Sequence, residues 1–227
     1  KDDDIIFSTD LSQPFSRVAN LAKIGRKGGP TTLLNYGISS NISFGNPGIV
    51  LGRNTADPAR WKRYKGGTAG ELWIDSNNNF SFKKLLNLSG NMACPMILKN
   101  KVFFISDHNG IGNIYSCLKN GKSIKQHTFH KNYYARNASN DLSNIVYHSG
   151  ADIYHLSLET GKTKKVDIIY NSDNTNKSRK FAPSLNYLED VTLSDDGHFV
   201  NIISRGKNYS MGNWSGAALQ YGKMQVF

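Results

Sequence analysis

The densest chemistry in this chain is a run of cations threaded with aromatic rings: Arg60, Trp61, Lys62, Arg63, Tyr64 and Lys65, followed by Gly66-Gly67. They belong to a polar insertion, Asn54–Gly70, between two strand-like runs, with Arg53 at its threshold. Guanidinium forks and ammonium groups pair with carboxylates and phosphates, and the rings offer stacking faces. Such a loop suits the acidic end of a peptide, an RNA strand or a neighbouring subunit. It equally suits an internal role, with Trp61 and Tyr64 packing it back onto its own sheet. Gly66 and Gly67 permit a close backbone approach or a positive φ.

Other reactive side chains are scattered. A serine nucleophile needs a base within hydrogen-bond reach and donors for the oxyanion. No Gly-x-Ser-x-Gly occurs, and no Ser-His-Asp constellation is visible, so no catalytic residue is assigned. His127 and His130 stand close together in His-Thr-Phe-His but lack a nearby third ligand, and zinc takes three or four. His148 and His155 read as strand residues across a hairpin. Asp195-Asp196-Gly197 reads as a tight turn, because an EF-hand loop needs oxygen ligands at alternate positions and a distal Glu. No cofactor and no metal are expected. Arg136 and Arg205, near strand junctions, are candidates for lining a central channel. Tyr133 and Tyr134 alternate, so at most one faces an adjacent sheet.

The formal net charge is +11. Lys and Arg are spread over turns and strand ends rather than gathered in one block, which favours solvated surface over a nucleic-acid site. Cys94 and Cys117 are too few for a disulfide framework. They read as buried reduced thiols, with a Cys94–Cys117 bridge as the alternative. No transmembrane run and no secretory signal are found, so no membrane partner is expected. The start, without Met and already strand-like at Asp4–Ser8, reads as a piece of a longer protein.

The elements that position these residues are short strands with tight turns. Val102–Thr128 holds three of them. VFFIS is β-branched and aromatic, and Asn113–Leu118 alternates, with Ile114, Ser116 and Leu118 on one face. Asn120-Gly121 predicts a type I′ hairpin turn with two positive φ values. The pattern recurs downstream. Val102 matches Ile145, 43 residues on, and Ile114-Tyr115 matches Ile153-Tyr154, 39 on, the difference lying in a longer turn at His108–Ile111. Met92–Leu98 and Tyr133–Ala138 precede the two units. Four strands in roughly forty residues is the period of a propeller blade.

Further copies lie outward. Ile42–Phe44, Gly48–Arg53, Glu71–Asp75 and Phe80–Leu86 form one. Val191–Ser194, Phe199–Ser204 and Lys207–Met211 form another. Ile5–Thr9 and Arg17–Ile24 read as the second and third strands of a blade lacking its first. The predicted fold is therefore all-β: a β-propeller of four-stranded antiparallel blades, an incomplete ring. Its blade-like units are 1–36 (incomplete), 37–88, 89–130, 131–180 and 181–227. Tyr170–Lys180 reads as a mobile loop between blades.

Several stretches are more specific than a generic blade. They are IFSTDLSQPF (Ile6–Phe15), GRNT (Gly52–Thr55), WKRYKGGTAGELWID (Trp61–Asp75), VFFISDHNGIGNIYS, HTFHKNYYARNAS, GKTKKVDI, FAPSLNYLEDVTLSDDGHFV and SRGK. Together they resemble the N-terminal propeller of the tricorn protease family, in order through almost the whole chain. The resemblance implies a six-bladed propeller at the front of a large cytoplasmic serine peptidase that assembles as a hexamer and degrades peptides. It implies that the nucleophile and its His lie in later segments. The propeller would then be a scaffold and gated passage for substrate or product. Its partners would be the remaining domains, the peptides in transit and further copies of itself. The alternative is a free-standing TolB-like propeller that binds a protein partner. Packing of the Trp61 ring predicts that Trp61→Ala lowers the melting temperature more than Arg63→Ala, measured side by side.

Overall fold

The computed structural model describes residues 3–222 apart from 12, 16–17, 47, 174–181 and 215. Residues 1–167 and 168–227 form two compact units. Unit 1 carries four antiparallel meanders, in which each strand pairs with the next in sequence. The first has β1 (Asp4–Thr9), β2 (Asn20–Gly25) and β3 (Thr32–Leu33). The second has β4 (Asn41–Gly45), β5 (Gly48–Arg53), β6 (Glu71–Asp75) and β7 (Lys83–Lys84). The third has β8 (Met92–Leu98), β9 (Lys101–Ser106), β10 (Asn113–Leu118) and β11 (Lys125–Gln126). The fourth has β12 (Ala135–Asn140), β13 (Asn144–Ser149), β14 (Asp152–Ser157) and β15 (Thr163–Lys165). Unit 2 holds a 3-10 turn at Ser184–Tyr187 and a fifth meander: β16 (Leu188–Leu193), β17 (Phe199–Ser204), β18 (Lys207–Gly212) and β19 (Leu219–Tyr221).

Every meander ends in a strand of two or three residues, shorter than Phe80–Leu86, Ser123–Thr128 and Thr163–Ile168 suggest. In the third sheet a side chain intercepts a backbone donor that would extend the outer ladder. Thr128 Oγ1 accepts the Ile114 N–H at 2.8 Å, just past β11. By the same measure the two-residue β3 occupies a fourth-strand place, so β1 and β2 are second and third strands. β12 begins two residues later than the predicted Tyr133–Ala138, because Tyr134 turns aside to pack on the third sheet. Residues 174–180 of the expected loop and 223–227 lie outside the described residues.

Apolar layers join the sheets of unit 1. Leu21, Ile49 and Leu51 pack between the first and second sheets. Val50, Leu72, Met92, Phe104, Tyr115 and Cys117 belong to the layer between the second and third. Phe103, Ile105, Ile114, Ile145, Tyr147 and Leu156 belong to the layer between the third and fourth. The third sheet is thus covered on both faces. β10 alternates as its sequence predicts: Ile114 faces one layer, Tyr115 and Cys117 face the other, and Leu118 emerges at the strand end. Fully burying one such side chain contributes about 1.5–3 kcal/mol.

The hairpin turns also differ from the sequence reading. Of the Asn120-Gly121 pair only Gly121 takes a positive φ, 76°. Gly121 N–H donates to Leu118 O, and Leu118 N–H donates to Lys122 O, each at 2.9 Å. That is a three-residue loop closed by a left-handed residue, not a type I′ turn. Hairpin turns with two positive φ values lie between β8 and β9, at Lys99 (48°) and Asn100 (62°), where no glycine marks the turn, and between β17 and β18, at Arg205 (52°) and Gly206 (66°).

Cys94 and Cys117 are free, and they belong to apolar layers on opposite faces of the third sheet, which rules out the bridge. Burial pushes the Cys117 thiol up to about 12. Among the described residues, no helix is long and apolar enough to cross a membrane. Phe104→Ala is expected to cost about 3–5 kcal/mol by chemical denaturation. Phe129→Ala, at a ring 72 % exposed, is expected to stay within about 0.5 kcal/mol.

Candidate functional site

In an antiparallel meander the loops joining second to third strands emerge at one end. The connections to the next sheet emerge there too. Residues 54–70, 107–112, 87–91 and 127–134 are therefore gathered at one end of unit 1. The basic loop 54–70 crosses this end as a strap from the second sheet over the third to the fourth.

Its central fastening is Asp107, at the end of β9 and 2 % exposed. One carboxylate oxygen, Oδ2, accepts the Arg63 backbone N–H at 2.6 Å. The other accepts the Asn91 N–H at 2.6 Å. Asn91 Nδ2 and Tyr134 Oη lie 3.4 and 3.5 Å from Oδ2. Asn91 Nδ2 also donates to Trp61 O at 2.7 Å. Arg63 itself holds φ at 55°. At the start of the strap, Arg136 on β12 donates through Nε to Asp57 Oδ2 at 2.7 Å, and its Nη2 reaches the same oxygen.

The predicted site residues all sit on this strap. Arg60, Trp61, Lys62, Arg63 and Lys65 are exposed, and Tyr64 is half-buried. The Trp61 ring lies against a neighbouring ring within the strap. It is 54 % exposed and lies 5.2 Å from the Tyr64 ring. Tyr64 folds over Gly66, where a Cβ would come 2.0 Å from the hydroxyl oxygen. The close approach explains Gly66, and neither it nor Gly67 has a positive φ. Lys62 Nζ stands 5.9 Å from the Tyr134 ring centre.

The remaining candidates separate from the strap. The Arg53 guanidinium stacks 4.1 Å over Trp73, and Arg205 lies 5.2 Å over Tyr187 in unit 2. Tyr134 is buried against the third sheet while Tyr133 is exposed, as the alternation requires. His127 Nε2 pairs with Ser116 Oγ at 2.8 Å, whereas His130 Nε2 reaches Tyr147 Oη at 2.9 Å. The two imidazoles serve different sheets and do not converge. Among the described residues, no group of three His, Cys, Asp or Glu side chains gathers to hold a metal. The Ser116–His127 pair resembles the start of a nucleophile, but the Ser116 side chain is 1 % exposed and sealed within the third sheet. Sequence reasoning passed over Asp57, Asn91 and Asp107. The available signal was an acid directly after the apolar run VFFIS, where a carboxylate must find donors.

A stack of antiparallel sheets joined by apolar layers and strapped across one end is a β-propeller segment. The chain matches the family described as Tricorn protease N-terminal beta propeller domain across residues 1–162, and it belongs to that family. A tricorn protease homolog of Saccharolobus solfataricus is 39% identical over 224 residues, covering 99% of this chain and 21% of that protein. The crystal structure of the tricorn protease superposes with a TM-score of 0.78 at 32% identity, covering 96% of this chain and 21% of that one. In Sulfurisphaera tokodaii the resemblance is divided. A tricorn-like protease C-terminal subunit is 40% identical over 145 residues (64% of this chain, 17% of that protein), and an N-terminal subunit is 38% identical over 73 (32% of this chain, 37% of that protein). The chain spans about a fifth of the length of the full-size relatives it matches.

Because the strap is fastened through its backbone, Trp61→Ala and Arg63→Ala are both expected to change stability by less than about 0.5 kcal/mol, replacing the order predicted from ring packing. Burial, with Lys125 and Lys101 nearby, pushes the His127 imidazole down to about 4. The unfolded chain, titrating near 6.5, then binds more protons than the folded one on acidification. Stability is expected to fall as pH drops from about 6.5 towards about 4, and His127→Gln should flatten that slope in melting temperatures taken against pH.

Proposed function

We propose that this chain is a non-catalytic propeller segment of a larger tricorn-type serine peptidase, serving as scaffold and gated channel for peptides. The observation that supports this reading is the strap. Its backbone is tied down by Asp107 and Asn91 and its start by the Asp57–Arg136 pair, while Arg60, Lys62, Arg63 and Lys65 are exposed. Fixed backbone with free cations is the arrangement a loop needs to meet a carboxylate without ordering itself first. The mechanism is steric and electrostatic. The passage admits extended peptides and excludes folded proteins, and a basic rim draws in acidic peptide ends.

The partners in this reading are the other domains of the peptidase, the peptides in transit and further copies in a cytoplasmic hexamer. The division of Sulfurisphaera tokodaii relatives into N- and C-terminal subunits supports association with partner subunits. The test uses the full-length protein on a fluorogenic acidic peptide and on a folded protein substrate. Cleavage of the peptide alone is expected, blocked by a serine-directed inhibitor. Lys62→Glu combined with Arg63→Glu should raise KM for the acidic peptide about tenfold with kcat little changed. Absence of any peptidase activity would abandon this reading for a propeller adaptor that binds a protein partner.

A further inference from the structure

We propose that Asp107 is a positioning residue: its buried carboxylate fixes the backbone at Arg63 and so sets where the strap presents Lys62 and its neighbouring cations. The proposal rests on the reading of the strap as a peptide contact.

A carboxylate 2 % exposed is tolerated only with donors around it. Asp107 has two short backbone donors, from Arg63 and Asn91, each at 2.6 Å. One of these comes from the strap and one from the connection leading into β8. The carboxylate is therefore a clasp between two chain segments. Its place is closely shaped, since a Cβ at Gly90 would stand 2.6 Å from Oδ1.

The strap side of the clasp carries an unusual backbone. Arg63 sits at φ 55°, a left-handed conformation that residues with a Cβ adopt reluctantly. The hydrogen bond to Asp107 holds it there. Two residues earlier, Trp61 O is held by Asn91 Nδ2 at 2.7 Å. Lys62 thus lies between two tethered residues, with its ammonium directed towards the Tyr134 ring. The negative charge beneath the turn also offsets repulsion among Arg60, Lys62, Arg63 and Lys65. Without Asp107, the Arg63 backbone is free to relax to a negative φ, and Lys62 loses one of its two flanking tethers.

The experiment measures binding of a fluorescein-labelled hexaglutamate peptide to the full-length protein by anisotropy, with hexalysine as control. Asp107→Asn is expected to weaken binding about tenfold, because one acceptor oxygen becomes a donor facing donors. Asn91→Ser, a milder change, should weaken it in the same direction and decides the matter where Asp107→Asn does not fold. The discriminating readout is non-additivity: in a Lys62→Ala, Arg63→Ala background, Asp107→Asn should cause no further loss, since it acts through those cations. A further loss of the same size in that background overturns the positioning role and leaves Asp107 merely structural. Wild-type affinity in both Asp107→Asn and Asn91→Ser overturns it as well, with the strap still a binding loop. No hexaglutamate binding by the wild-type protein overturns the peptide reading itself, and this proposal with it.

Discussion

A four-stranded sheet has two faces, and neither stays stable against water when lined with Ile, Phe, Tyr and Leu. That constraint organises unit 1. The third sheet satisfies it by lying between two others, so that Phe104 and Tyr115 enter one layer while Ile105 and Ile114 enter the next. Each sheet's register follows from which layer its side chains must reach, since a slip of one residue would exchange the two layers. The polar residues at the sheet ends are consequences. Asp107 and Asn113 sit where the strands leave the apolar layers, and their side chains satisfy the backbone groups that the ladders no longer reach.

The strap belongs to this boundary. It leaves the second sheet after β5, crosses the seam of the third and reaches the fourth through Asp57 and Arg136. The Asp57–Arg136 pair is partly solvated and contributes modestly by itself. Asp107 differs because it is buried and its bonds are to backbone donors. The division of labour is clear: apolar layers hold the sheets, a buried acid holds the loop, and the basic residues of the loop stay exposed.

Much of this was legible in the residues. The β10 strand follows from Asn113–Leu118, and the strand starts at Met92 and Asn144 follow from their apolar onsets. The strap follows from the insertion between two matched strands. What escaped was whatever depends on a third dimension. Both faces of β10 carry apolar residues, so alternation showed which residues share a face but not that each face is covered by another sheet. Lys99-Asn100 makes its tight turn without a glycine, while Asn120-Gly121, the stronger local signal, sits in a longer loop because its outer strand is displaced by one residue. Asp107 was hidden within ordinary turn chemistry, since its importance lies in Arg63 and Asn91, 44 and 16 residues away along the chain.

The brief outer strands have one more effect. β7 is Lys83-Lys84, β11 is Lys125-Gln126 and β15 is Thr163-Lys164-Lys165. A long, uncharged outer strand offers its free N–H and C=O groups to any other extended chain, and sheets then join edge to edge into aggregates. Here the ladder stops after two or three residues, and ammonium groups flank it. Part of the net charge of +11 is thus protective. It keeps the rims of the sheets from recruiting other extended polypeptide.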